Sequence, residues 1–84
     1  MGYEFVREKT NNIIYEILQD RIDYQDLSPE KNLIEDLGIE SSELLEIFLT
    51  INIEFDIEIE RSKLMGITDL DGLYQHIEEL VAKV

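Results

Sequence analysis

Cysteine is absent from the 84-residue chain, and with it go disulfides, thiolate nucleophiles and zinc–thiolate sites. Positive charge is scarce. Seven Lys/Arg stand against twenty Asp/Glu, a formal charge of −13 at pH 7, with an isoelectric point near 4.1. A surface this negative repels phosphate, which argues against nucleic acid and anionic membranes as partners and in favour of basic protein surfaces. No apolar run exceeds three residues, so nothing reads as a membrane span or a secretory leader. Repeats, low-complexity tracts and Gly/Ser linkers are missing too. The expectation is one small domain over residues 1–84, soluble, monomeric and cytoplasmic, with the modest core that a chain of this length can bury.

What the chain does contain is helical patterning. Apolar residues fall at Phe5, Val6, Ile13, Ile14, Ile17 and Leu18, and the set from Ile13 to Arg21 has the spacing of a first helix. From Ile22 to Glu40 the periodicity breaks. Ser28-Pro29-Glu30 carries the signature of a helix start, but Asp36-Leu37-Gly38 stops it within two turns, so this stretch reads as a long loop with one short helical turn. A loop so long in so small a domain suggests function.

Ile51 to Glu60 alternates apolar and polar residues and, in isolation, resembles a strand. The longer window favours a helix. Leu44, Ile47, Phe48, Ile51 and Phe55 make an apolar stripe, and Glu43, Glu46, Thr50 and Glu54 make a polar one opposite it. A second helix is therefore expected from Ser41 to about Phe55, followed by an extended piece through Ile59. A short turn from about Glu60 to Met65 follows, with Gly66 as a left-handed stop. Thr68 precedes a final helix with Leu70, Leu73, Tyr74, Ile77, Leu80 and Val81 on its buried face and Asp69 and Asp71 at its positive end. The fold class is all-α: a small bundle of three main helices and one short helix, with a long loop between the first and second helices.

The segment Asp36-Leu37-Gly38-Ile39-Glu40-Ser41-Ser42-Glu43 resembles the signature of the acyl carrier protein family, in which Asp-Leu-Gly is followed, after two intervening residues, by a serine that opens the second helix. The register continues through Glu46 to Glu54-Phe55-Asp56, Glu58-Ile59 and Ile67-Thr68, covering roughly Ser28 to Leu80. The resemblance implies that Ser41 carries a 4′-phosphopantetheine arm, derived from coenzyme A, whose thiol holds an acyl group as a thioester. The thiol that the sequence lacks would thus come with the prosthetic group. Physically, the first turn of a helix suits a phosphodiester, because its backbone N–H groups are unpaired and the helix dipole is positive there.

Two positions depart from the family pattern: Glu40 stands for Asp, and Ser42 for Leu. The adjacent hydroxyls leave Ser42 as the less favoured attachment point, since using it would slip the helix by one residue and rotate its stripes by about 100°. Two bland readings stay open: the serine pair only caps the helix, or the carrier has kept the fold and lost the arm.

A second apolar strip, Leu45, Leu49 and Ile53, runs along the second helix beside Glu40, Glu43, Glu46 and Glu54. Part of it, Leu45 above all, could be covered by the loop. Otherwise an apolar strip rimmed by acids is what a docking helix presents to a basic groove. The resemblance implies such partners: a phosphopantetheinyl transferase, and acyl-loading and acyl-transferring enzymes with basic docking patches. Ile53 stands where the family commonly has an acid, which points to partners other than the housekeeping fatty-acid enzymes.

The lone His76 forms no Ser–His–acid set, and Asp69-x-Asp71-Gly72 lacks the later ligands of a calcium loop, so neither an enzyme nor a metal site is expected. The reading is a discrete acyl carrier protein without catalytic residues, specialised for a lipid, polyketide or related pathway. The alternatives are a D-alanyl or other aminoacyl carrier and an unmodified acidic helical interaction module.

Overall fold

The computed structural model of the chain describes residues 3–64 and 66–83. Four helices follow in order: α1 (Tyr3–Leu18), α2 (Ser41–Phe55), α3 (Arg61–Leu64) and α4 (Leu70–Lys83). Among the described residues there is no β-strand, only an isolated bridge between Asn32 and Asp69. α1 packs against both α2 and α4. The core between them consists of Val6, Ile13, Ile14 and Leu18 from α1, Ile47, Phe48 and Ile51 from α2, and Leu70, Leu73, Tyr74 and Ile77 from α4. Each such side chain, fully buried, contributes about 1.5–3 kcal/mol.

α1 begins ten residues earlier than the expected start at Ile13 and ends before Arg21. Thr10-Asn11-Asn12 are poor helix formers that mask the pattern. In the structure they are absorbed: Thr10 is fully buried between Val6 and Ile13, and Asn11 accepts a hydrogen bond from the Tyr74 hydroxyl. At Gln19 the backbone takes φ 33°, and Gln19–Arg21 tightens into a 3₁₀ turn, which ends the helix.

The long loop departs from expectation at Ser28-Pro29-Glu30, which opens a turn rather than a helix. Its only short helical turn lies earlier, at Tyr24–Asp26. The reason is in the backbone. The carbonyls of Pro29 and Lys31 accept the N–H groups of Asp71 (2.9 Å) and Leu70 (3.0 Å), and the Thr68 carbonyl accepts that of Leu33 (2.9 Å). The opening N–H groups of α4 have no partner within their own helix, and this segment supplies one. Carbonyls turned towards α4 in this way do not point along a helix of their own. Asp69 completes the junction, accepting the Gly72 N–H on Oδ1 at 2.8 Å. Leu27, Leu33, Leu37 and Ile39 then pin the loop into the core.

α2 ends where expected. Asp56 adopts the left-handed conformation (φ 54°, ψ 49°), the Ile57 N–H returns to the Asn52 carbonyl at 3.0 Å, and Asn52 Oδ1 accepts the Ile59 N–H at 3.1 Å. Those bonds hold the extended piece expected through Ile59. The anticipated turn after Glu60 is the single helical turn α3; its far bound, Met65, lies outside the described residues. Gly66 is not left-handed: its N–H reaches back to the Lys63 carbonyl at 3.0 Å without a positive φ.

Candidate attachment site

The site is built by the turn that precedes α2. Asn32 organises it. Its Oδ1 accepts the N–H groups of Ile34 (2.9 Å) and Glu35 (2.8 Å), its carbonyl accepts those of Asp36 and Leu37 (both 3.1 Å), and its own N–H donates to Asp36 Oδ2 at 2.7 Å. The chain reverses at Gly38, whose φ of +67° lies in the region that L side chains avoid. An added Cβ would meet nothing within 4 Å, so the requirement there is conformational rather than spatial. Leu37 and Ile39, on either side, are buried and anchor the turn.

Glu40 is the N-cap of α2 and Ser41 its first helical residue. Glu43 Oε1 accepts the Glu40 N–H at 3.0 Å, the reciprocal half of a capping box. The cap is therefore made by glutamates, and neither Ser41 nor Ser42 serves as one. Both serines are exposed, and among the described residues the Ser41 hydroxyl makes no hydrogen bond. Beside it lies an apolar depression of about 220 Å³ lined by Ser41, Leu44, Leu45, Phe48 and Leu64. Ser41 borders this depression and Ser42 does not. A larger open groove of about 440 Å³, at the other end of α2, is lined by Asp56, Ile57, Glu58, Leu80 and Lys83 and holds no hydroxyl.

Arg21 is the residue that sequence reasoning missed. Its Nη1 donates to Glu43 Oε2 and its Nη2 to the Gly38 carbonyl. Nothing near Arg21 in the chain signals a contact to residues 17 and 22 positions away; only the scarcity of cations could have drawn the eye. The Glu43 carboxyl is held below its ordinary value chiefly by the backbone N–H of Glu40; burial opposes that, and the Arg21 guanidinium adds to the lowering.

The expected docking residues divide. Leu45, Leu49 and Ile53 are 46%, 55% and 78% exposed, so the loop does not cover Leu45. Glu40 and Glu46 are exposed beside them. Glu43 is turned inward to Arg21. Glu54 is drawn towards Lys9, whose Nζ lies 3.8 Å from its carboxylate and 5.5 Å from the ring centres of both Phe5 and Phe55. Among the described residues no helix is long and apolar enough to cross a membrane.

A family model described as "Phosphopantetheine attachment site" matches residues 12–77. The solved structure of a protein from Mycobacterium tuberculosis, named among the acyl carrier proteins, superposes with a TM-score of 0.79 at 24% identity. The match covers 88% of this chain and 96% of the other, and likeness at that identity speaks for the fold. The chain belongs to the phosphopantetheine-attachment family of carrier domains, its fold is that of an acyl carrier protein, and the group that such domains bear is 4′-phosphopantetheine.

Proposed function

We propose that the protein is a discrete acyl carrier protein, a cytoplasmic single-domain monomer, with the arm attached at Ser41. The observation that supports this most directly is an exposed serine hydroxyl, unengaged by the cap, at the first position of α2 and on the lip of an apolar depression. When bound, the arm supplies a thiol that carries cargo as a thioester. Ser41 supplies the oxygen that bonds phosphorus as the pyrophosphate link of coenzyme A breaks, and its proton passes to the transferase. The N–H groups at the start of α2 and the positive end of its dipole would favour the phosphodiester anion. Leu44, Leu45, Phe48 and Leu64 offer apolar surface to the proximal part of whatever the arm carries.

Partner recognition falls to the bare strip Leu45, Leu49 and Ile53 with Glu40 and Glu46, while Glu43 and Glu54 contribute charge from positions already engaged. Excess negative charge steers a basic partner in quickly and leaves affinity modest, which suits a shuttle. The exposed Ile53 supports a specialised lipid, polyketide or related pathway over the housekeeping fatty-acid enzymes.

The test is coexpression with a broad-specificity phosphopantetheinyl transferase, read by intact mass. The expected result is one arm on the wild-type chain and on Ser42→Ala, and none on Ser41→Ala. An unmodified wild-type chain would leave an acidic interaction module, and an arm that survives Ser41→Ala would move the site. The acyl group on protein purified from its native host then separates an acyl from an aminoacyl carrier.

A further inference from the structure

Asn32 and the buried Leu37 and Ile39 hold the turn that presents Ser41 from one side, up to Gly38 and Ile39. Gly38 is exposed, sits at a positive φ, and has open space where a side chain would pack. The segment from Gly38 to Glu43 is nonetheless closed into a ring. One guanidinium, from the turn that ends α1, grips the Gly38 carbonyl three residues before the serine and the Glu43 carboxylate two residues after it. The second oxygen of Glu43 takes the Glu40 N–H at 3.0 Å, so the ring is hydrogen-bonded at three points, with Ser41 between them.

We propose that Arg21 is a positioning residue for Ser41: by clipping Gly38 to Glu43, it holds the serine hydroxyl in the orientation that a phosphopantetheinyl transferase uses. The inference rests on the attachment reading above and adds a residue to it. Arginine suits the task because its planar fork reaches two acceptors in fixed geometry, where a lysine ammonium offers a single point of charge on a flexible stem. The clip also gives Glu43 a different role. A carboxylate turned inward and satisfied by both a guanidinium and a backbone N–H is a strut of the turn before it is a docking charge.

The test is steady-state modification of the full chain by a broad-specificity transferase with coenzyme A, comparing wild type with Arg21→Met, Arg21→Lys and Glu43→Gln. Misplacing a reacting group by a fraction of an ångström lowers turnover more than binding. The expectation is therefore a roughly tenfold fall in kcat for Arg21→Met and about threefold for Arg21→Lys, with KM within about twofold of wild type. Glu43→Gln lowers kcat if the carboxylate is a strut and raises only KM if it is a docking charge. Amide exchange at Ile39–Ser42 should quicken in Arg21→Met while exchange in α4 stays unchanged. If Arg21→Met does not fold, Arg21→Lys is judged by the same split. Wild-type kcat in a folded Arg21 variant, or losses confined to KM, would overturn the clip. A wild-type chain that takes no arm sinks the attachment reading itself, a result separate from a modified wild type that its Arg21 variants merely match.

Discussion

Ile51 and Ile53 are the same residue two positions apart on one helix, yet the first is wholly buried and the second is 78% exposed. Around Ile51, the side chains of Ile47 and Phe48 join residues of α1 and α4 in one core cluster. Around Ile53, Leu49 and Leu45 continue a strip that stays exposed among the described residues. Composition and hydropathy give the two faces equal weight. Helical phase separates them: one face is buried in the core and the other stays exposed.

Substitutions should separate the two faces sharply. Ile51→Ala is expected to destabilise the fold by about 2–5 kcal/mol, the range for truncating a buried isoleucine, read by urea denaturation. Loss of less than about 1 kcal/mol would mean that the buried face is not the one described. Ile53→Ser and Leu49→Ser should leave stability within about 0.5 kcal/mol of wild type. Each should instead weaken docking by about 1 kcal/mol, a roughly fivefold rise in the KM of a partner enzyme. A large stability loss at either position would show that the strip is core after all. Acid should loosen the fold first at the turn that opens α2. The Glu43 carboxyl is held below its ordinary value of 4.5, so its contribution to the turn is fully present above that pH and is lost as pH falls through the lower folded value. Amide exchange near Gly38 should therefore quicken below pH 4.5 before the core loosens, and less so in Glu43→Gln.

α2 was legible because its two stripes persist over four turns, long enough to outweigh the alternation from Ile51 to Glu60. α4 was legible for the same reason. The first half of α1 was not, since Thr10, Asn11 and Asn12 look like a break until the core buries Thr10 and Tyr74 bonds Asn11. Pro29 to Leu33 imitates a helix start because the feature that prevents one, the demand of α4 for backbone acceptors, comes from residues some forty positions away. The register that follows Gly38 singles out Ser41, and the structure places it exposed at the first position of α2. Its clip was not legible, because Arg21 meets the turn only after α1 has stopped at Gln19 and folded back. Glu43 and Glu54 had looked equivalent to Glu46 on a helical wheel. Only the structure places a cation against each of the first two.

The bare strip also constrains how the molecule behaves in a crowded solution. Three large aliphatic side chains on open display would ordinarily act as glue between identical molecules. At −13 each copy meets the next as a strongly repelling colloid, and the sticky ridge touches only those surfaces charged to come close. Near pH 4.1 that mutual repulsion vanishes, and the ridge proposed for docking becomes a seam along which the protein is expected to clump with itself.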